Sequence, residues 1–171
     1  MYGKHEMDQS RIVLVIHNVR SAHNVGSLLR TAEGLGVEKV YLTGYSPYPE
    51  AKNDERLPHV RRRAEAQISK TALGADKYLK WEHADITDCL KHLSGSGFKL
   101  VALEQTADAE PIQNFQPGPK TVLIVGNEVK GLDKEVLAKT DLNLQIPMLG
   151  RKESYNVASA TAMALYHLRF S

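Results

Sequence analysis

The sequence predicts one α/β domain, residues 1–171, with a mainly parallel sheet flanked by helices. Short β-branched apolar runs alternate with stretches of helical period, as expected of strand–helix–strand units. Glycine, proline and polar residues punctuate the joins, and no internal repeat, low-complexity segment or interdomain linker interrupts the order. A length of 171 residues with 42% hydrophobic and 25% charged residues fits one soluble domain with its own core.

Residues 11–17 (RIVLVIH) read as a buried strand, apolar, β-branched and bounded by polar residues. From Asn24 the period changes: Val25, Leu28, Leu29, Ala32 and Leu35 recur at helical spacing, and Gly34 and Gly36 end the run. A strand follows at residues 39–43, then a long loop with Pro47, Pro49 and Pro58, and a short helix over 64–73. Residues 77–81 read as a strand and 86–93 as a helix, closed by Ser-Gly-Ser-Gly at 94–97. Another strand occupies 99–103, and a polar, proline-containing stretch runs from 105 to 120. Residues 121–125 (TVLIV) form the most apolar strand. A short helix at 133–139, a strand at 142–146 and a closing helix at 155–170 complete the chain.

Composition excludes several classes. No apolar run reaches the ~18 residues of a membrane span. The polar start MYGKHEMDQS has no apolar signal region, so no secretion signal is read there. Cys89 is the one cysteine, which rules out an internal disulfide and points to the reducing cytoplasm. One cysteine and seven scattered histidines cannot build a cysteine-based zinc cluster, so no metal is expected. A net charge of +2 permits a nucleic-acid partner without arguing for one.

Familiar phosphate and nucleophile motifs fail. Gly126 and Gly131 have P-loop spacing, but Leu132 and Asp133 stand where Lys and Ser or Thr are required. Gly34-Leu35-Gly36 lacks the third glycine of a dinucleotide fingerprint and follows a helix. A Gly-x-Ser-x-Gly elbow is absent.

Three segments look like parts of a site. In residues 21–36, Gly26, Arg30 and Gly34 fall at i, i+4 and i+8 and share a helix face. Glycine inside a helix costs ~1 kcal/mol relative to alanine, so this face suggests a close approach with Arg30 projecting into it; a C-cap at Gly34 beside a solvated arginine is the alternative. In residues 123–132 a buried strand runs into a glycine-bounded loop with Asn127, Glu128 and Lys130. Ligands of open α/β sheets bind beyond the carboxyl ends of strands, although from the residues alone a turn with solvated charges is the better reading. In residues 146–168 a strand ends at Pro147, Ser154 suits a helix N-cap, and Ala158, Ser159, Ala160, Thr161, Ala162 and Ala164 give a helix of small residues. Such a helix packs closely against a neighbour or is simply one of high propensity.

Together the segments resemble the three ordered motifs of the SpoU/TrmH branch of the SPOUT methyltransferases. Asn24-Val25-Gly26 with Leu29-Arg30-Thr31-Ala32 resembles the first. Gly126-Asn127-Glu128 with Lys130-Gly131-Leu132 resembles the second, and Ile146-Pro147-Met148, Glu153-Ser154 and Asn156-Val157 the third. The resemblance spans residues 21–168. It implies a C-terminal deep trefoil knot, a homodimer joined by the first and last helices, and S-adenosylmethionine as cofactor in the knotted loops. Cofactor contacts are implied at Leu103, Gly126, Ile146, Met148, Ser154 and Tyr155. The reaction implied is methylation of a ribose 2′-hydroxyl in structured RNA, tRNA before rRNA.

The family's catalytic arginine corresponds to Arg30, and Asn24, Glu128, Ser154 and Asn156 to its other polar positions. A guanidinium is not deprotonated in ordinary protein settings. Gripping phosphate and stabilising the developing alkoxide therefore suit Arg30 better than acting as a base. Little sequence lies outside the motifs, so no separate RNA-binding domain is expected. Lys52, Arg61, Arg62 and Arg63, with Arg56, His59 and Lys70 nearby, are the candidate RNA patch, and Tyr45 and Tyr48 candidate stacking rings. Three consecutive arginines also suit a merely solvated face. Two alternatives remain: a non-catalytic RNA-binding protein that keeps the SPOUT fold, and an unrelated α/β enzyme of nucleotides or sugar phosphates.

Overall fold

The computed structural model describes residues 10–171; most of the polar start, residues 1–9, lies outside the described residues. Among the described residues seven strands form one sheet: β1 (Arg11–His17), β2 (Lys39–Thr43), β3 (Trp81–Ala84), β4 (Lys99–Leu103), β5 (Glu110–Pro111), β6 (Lys120–Val125) and β7 (Leu142–Gln145). Their order is β3-β2-β1-β6-β4-β7-β5, and every neighbouring pair is parallel. The helices are α1 (Ala22–Gly34), α2 (Pro58–Ala72), α3 (Ala75–Tyr78), α4 (Ile86–Gly95), α5 (Lys134–Leu137) and α6 (Val157–Phe170), with a 3-10 turn at Ile112–Asn114.

β1 and β6 are apolar on both faces because both faces are covered. Side chains alternate across a strand. Ile12, Leu14 and Ile16 therefore join Leu123 and Val125 under α1, α2 and α6, against Val25, Leu28, Leu29, Ile68 and Leu165. Val13, Val15, Val122 and Ile124 face the other way, onto Leu90 and Leu93 of α4 and Val136 of α5. Each such side chain contributes ~1.5–3 kcal/mol by leaving water. β1 and β6 pair along Arg11↔Lys120 to Ile16↔Val125, so their carboxyl ends lie level.

The sequence reading needs correction in three places. The strand expected at 77–81 is instead the end of α3 followed by β3, whose Trp81 pairs with Val40. Leu73 and Gly74 take positive φ (50° and 91°) and end α2, and α3 starts directly after them. α2 begins at Pro58 rather than near residue 64, with proline in its first turn, where a fixed φ and a missing N–H cost nothing. Only Ala64, Ile68 and Ala72 of α2 are buried, so its first turns lack the apolar period that marks a helix in sequence. α6 opens at Val157 with Asn156 as N-cap, not at Ser154 or Tyr155. Within the polar stretch from 105 to 120 lie β5 and the 3-10 turn.

Among the described residues no helix is long and apolar enough to cross a membrane.

Candidate active site

β6, β4 and β7 are adjacent, and the loops beyond their carboxyl ends enclose a cleft of about 320 Å³. That volume lies within the range of small-molecule sites, roughly 300–1,000 Å³.

The loop after β6 is folded back on itself. Asn127 and Gly131 exchange backbone hydrogen bonds of 3.2 and 3.0 Å. The Asn127 side chain accepts from the amides of Val129 (2.9 Å) and Lys130 (2.8 Å), and donates to the Asn18 carbonyl (3.0 Å) and the Tyr45 hydroxyl (2.9 Å). Gly126 is required by this fold: a Cβ there would lie 2.7 Å from the Gly131 carbonyl carbon. Gly131 has φ +68° and sits against Glu104, whose carboxylate accepts from the Leu132 amide at 2.7 Å. Glu104 is thus the latch of the loop.

Glu128 ties this loop to α1. One carboxylate oxygen accepts from the Arg20 amide (2.9 Å), the other from the Ser21 amide (3.0 Å) and the Asn24 side chain (2.9 Å). Burial by itself would push the Glu128 carboxyl up, but these donors outweigh it and hold it below the ordinary range. A carboxylate at the start of a helix is also favoured by the helix dipole. Asn24 in turn accepts from the Asn156 side chain at 3.2 Å, and Asn156 caps α6 by accepting from the Ala158 amide at 2.9 Å. Glu128, Asn24 and Asn156 therefore form one hydrogen-bonded chain across the three sequence segments.

Behind the loop, His17 is buried at the end of β1. Its Nδ1 lies 2.9 Å from the Thr43 hydroxyl, and its Nε2 lies 2.9 Å from the Asn18 side-chain nitrogen Nδ2 and 3.3 Å from Asp133. The Val136 amide holds the Asp133 carboxyl below its ordinary range, burial opposes this, and His17 assists.

Of the residues assigned to the cofactor by sequence, Leu103, Gly126, Ile146, Ser154 and Tyr155 all line the cleft, while Met148 is half-buried outside its lining. Arg30 is exposed on α1, six residues beyond Asn24, and is not among the lining residues. That offset is ~9 Å along a helix axis. Gly26 packs inside the chain, with an added Cβ 2.3 Å from the Ile68 carbonyl of α2, whereas Gly34 faces open space. The two glycines therefore do not flank one close approach.

The basic patch is not uniform. Lys52, Arg62 and Arg63 are exposed. Arg61 instead pairs with Glu50 at 3.0 Å and donates to the Asp54 carbonyl at 3.2 Å. Tyr48 is stacked on His83 and covered by the Arg56 guanidinium, so its ring is occupied. Sequence reasoning missed Glu104, which lines the cleft, and the His17–Asp133 pair, which does not, and passed over the structural role of Asn127. The signal that drew attention to Glu128, a polar residue just past the end of a buried strand, applies equally to Glu104 and to His17 at the end of β1.

The cleft lining joins apolar Leu103, Ile146 and Val157 to three carboxylates, Glu104, Glu128 and Glu153, against one cation, Lys130. Such a lining suits a ligand with an apolar ring, hydroxyl groups and a positive charge. Among the described residues no cluster of His, Cys, Asp and Glu fit for a metal ion occurs.

Residues 11–166 match the sequence profile of the SpoU rRNA Methylase family. The 23S rRNA (guanosine(2553)-2'-O)-methyltransferase RlmP of Bacillus subtilis is 33% identical over 162 residues, 94% of this chain and 58% of that protein. The tRNA (guanosine(18)-2'-O)-methyltransferase of Escherichia coli K12 is 28% identical over 159 residues, 92% of this chain and 62% of that protein. The chain thus spans about three-fifths of the length of these two relatives. The AdoMet-bound rRNA methyltransferase of Sinorhizobium meliloti has the same fold, with a TM-score of 0.81 at 22% identity over 97% of this chain and 58% of that one.

Proposed function

The chain belongs to the SpoU rRNA methylase family, and from that premise we propose that it transfers a methyl group from S-adenosylmethionine to a ribose 2′-hydroxyl of RNA. The hydrogen-bonded chain Glu128–Asn24–Asn156, joining three distant segments beside one acid-lined cleft, is the observation that carries the proposal. The RNA-methylating names of both relatives and the AdoMet carried by the Sinorhizobium protein support it.

The cleft fits the cofactor. Leu103, Ile146, Val157 and Tyr155 offer apolar surface to an adenine, and backbone groups at the ends of β4, β6 and β7 offer hydrogen bonds. Glu104, Glu128 and Glu153 supply negative charge near a sulfonium. The bound cofactor supplies an already electrophilic methyl group, so the protein's task is alignment and charge stabilisation. Glu128, Asn24 and Asn156 are positioning residues that fix the start of α1 and α6 relative to the cleft. Ser154 lines the cleft at the entrance to α6. Arg30 is the proposed catalytic residue, holding an RNA phosphate and offsetting the charge of the developing alkoxide from outside the cleft.

Lys52, Arg62 and Arg63 are proposed as phosphate contacts, with Arg61 tying α2 to the preceding loop. Replacing Arg62 and Arg63 by Gln then flattens the slope of log affinity against log salt by roughly 0.7–0.9 for each. A homodimer is proposed through α6, where Met163, Tyr166 and Phe170 share one face and remain 39%, 62% and 52% exposed. Light scattering that finds a fully active monomer would refute it. The family's trefoil knot beyond β6 and residence in the cytoplasm complete the proposal.

The test is methyl transfer from labelled S-adenosylmethionine to unmodified tRNA and to rRNA transcripts, followed by nuclease digestion. The expected product is a 2′-O-methyl nucleoside, tRNA being the first substrate to try. Arg30→Ala is expected to abolish transfer while cofactor affinity stays within ~3-fold, a difference below ~1 kcal/mol. RNA binding without any transfer by the wild type would favour a non-catalytic RNA-binding protein instead.

A further inference from the structure

A second hollow, of about 400 Å³, lies beside the cleft and is lined by Arg20, Tyr45, Asn127, Val129 and Lys130. Asn127, Val129 and Lys130 line both spaces, so one turn of chain separates them. Its other walls come from the loop between β1 and α1 and the loop after β2.

Tyr45 is 59% exposed yet anchored at both ends. Its hydroxyl accepts from the Asn127 side chain at 2.9 Å, and its amide donates to the Asn18 side chain at 3.1 Å. An aromatic ring fixed in this way loses little conformational freedom when another ring settles on it. Tyr48, three residues on, shows the contrast, since its faces are already taken by His83 and Arg56. Arg20 and Lys130 are exposed, and among the described residues neither is in an ion pair. The nearby carboxylate of Glu128 is turned to the start of α1, both oxygens occupied by amide donors. The hollow therefore offers one aromatic face and two cations, with no acidic residue in its lining.

We propose that this hollow receives one unpaired nucleotide of the RNA strand, its base stacked on Tyr45 and its phosphates held by Arg20 and Lys130. Stacking on a side chain requires a base freed from its own duplex, so the site selects single-stranded loops over helices. The shared turn at 127–130 puts the ribose of a nucleotide seated there next to the cofactor cleft. This inference rests on the RNA-methyltransferase reading.

The test uses a short single-stranded RNA carrying a central 2-aminopurine, whose fluorescence falls when the base stacks. The wild type is expected to quench it on binding, and the same sequence in a duplex is expected to quench little. Tyr45→Ala should remove most of the quench and weaken binding by roughly fivefold or more. Tyr45→Phe keeps the ring and should keep the quench. Arg20→Gln should preserve the quench and lower the salt slope by roughly 0.7. Calorimetry should find S-adenosylmethionine affinity within about threefold of wild type for Tyr45→Ala and Arg20→Gln. An unchanged quench and affinity in Tyr45→Ala, or an unchanged slope in Arg20→Gln, overturns the proposal, as does quenching of duplex equal to single strand. Wild type that binds the cofactor but not this RNA sinks this inference alone. Wild type that binds neither sinks the methyltransferase reading as well.

Discussion

The two loops that wall the cleft are built in opposite ways. Residues 126–132 are fastened along their length: Asn127 bonds to Val129, Lys130, Gly131, Asn18 and Tyr45, Glu128 clips to α1, and Leu132 is held by Glu104. Residues 147–155 make no hydrogen bond among the described residues, and Leu149 is 98% exposed. Segments with few buried contacts and open backbone sit at the low end of local stability. The contrast teaches that hydrogen bonds within the fold set one wall, and it predicts that the other is the wall a bound ligand changes most.

The fastened wall can be broken outright. Gly126→Val places a side chain within 2.8 Å of the Leu132 amide nitrogen, a backbone atom that cannot step aside. Destabilisation of about 1–3 kcal/mol is expected, with S-adenosylmethionine binding lost in calorimetry even at temperatures where the protein remains folded.

A gentler break removes the clip. Glu128→Gln can keep its one oxygen on the Ser21 amide and the Asn24 side chain, but its N–H₂ then faces the Arg20 amide, which loses its acceptor, at an expected cost of about 1–2 kcal/mol in urea unfolding at neutral pH. The effect carries a pH signature. The Glu128 carboxyl is held below its ordinary range in the fold, so its stabilisation is fully present above the unfolded value, about 4.3. It is lost as pH falls through the lower folded value. The gap between wild type and variant should therefore be constant above about pH 5.5 and close in acid. A gap that widens in acid would mean that Glu128 is not held as a carboxylate.

The unfastened wall should answer differently. Leu149→Ser, at 98% exposure, is expected to shift stability by less than about 0.5 kcal/mol. A larger loss in thermal unfolding would show that 147–155 is packed after all, and the comparison would fail.

How far all this was legible in the sequence differs between the same two regions. β1, β2 and β4 were read with their observed bounds, because a strand buried on both faces is a continuous apolar run with polar ends. The start of α2 was missed, because its first turns are polar and exposed and a proline marked it only as loop. β3 begins four residues later than its reading from sequence, because the helical turn before it rests on the positive φ of Leu73 and Gly74, not on any apolar period. At the site, Asn24, Glu128 and Asn156 could be singled out from their motif, but their direct hydrogen bonds could not. Those bonds span up to 132 residues of sequence. Arg61 shows the converse limit: three adjacent arginines look alike in sequence, yet Glu50 and the Asp54 carbonyl, brought close by the preceding loop, engage only the first.

Amide hydrogen exchange with and without S-adenosylmethionine tests the cofactor site most directly. The account predicts strong slowing across residues 147–157 when the cofactor is added, a smaller change at 126–132, where hydrogen bonds already protect the amides, and none in α2. Absence of any slowing at saturating cofactor, or slowing confined to regions away from the ends of β4, β6 and β7, would contradict it.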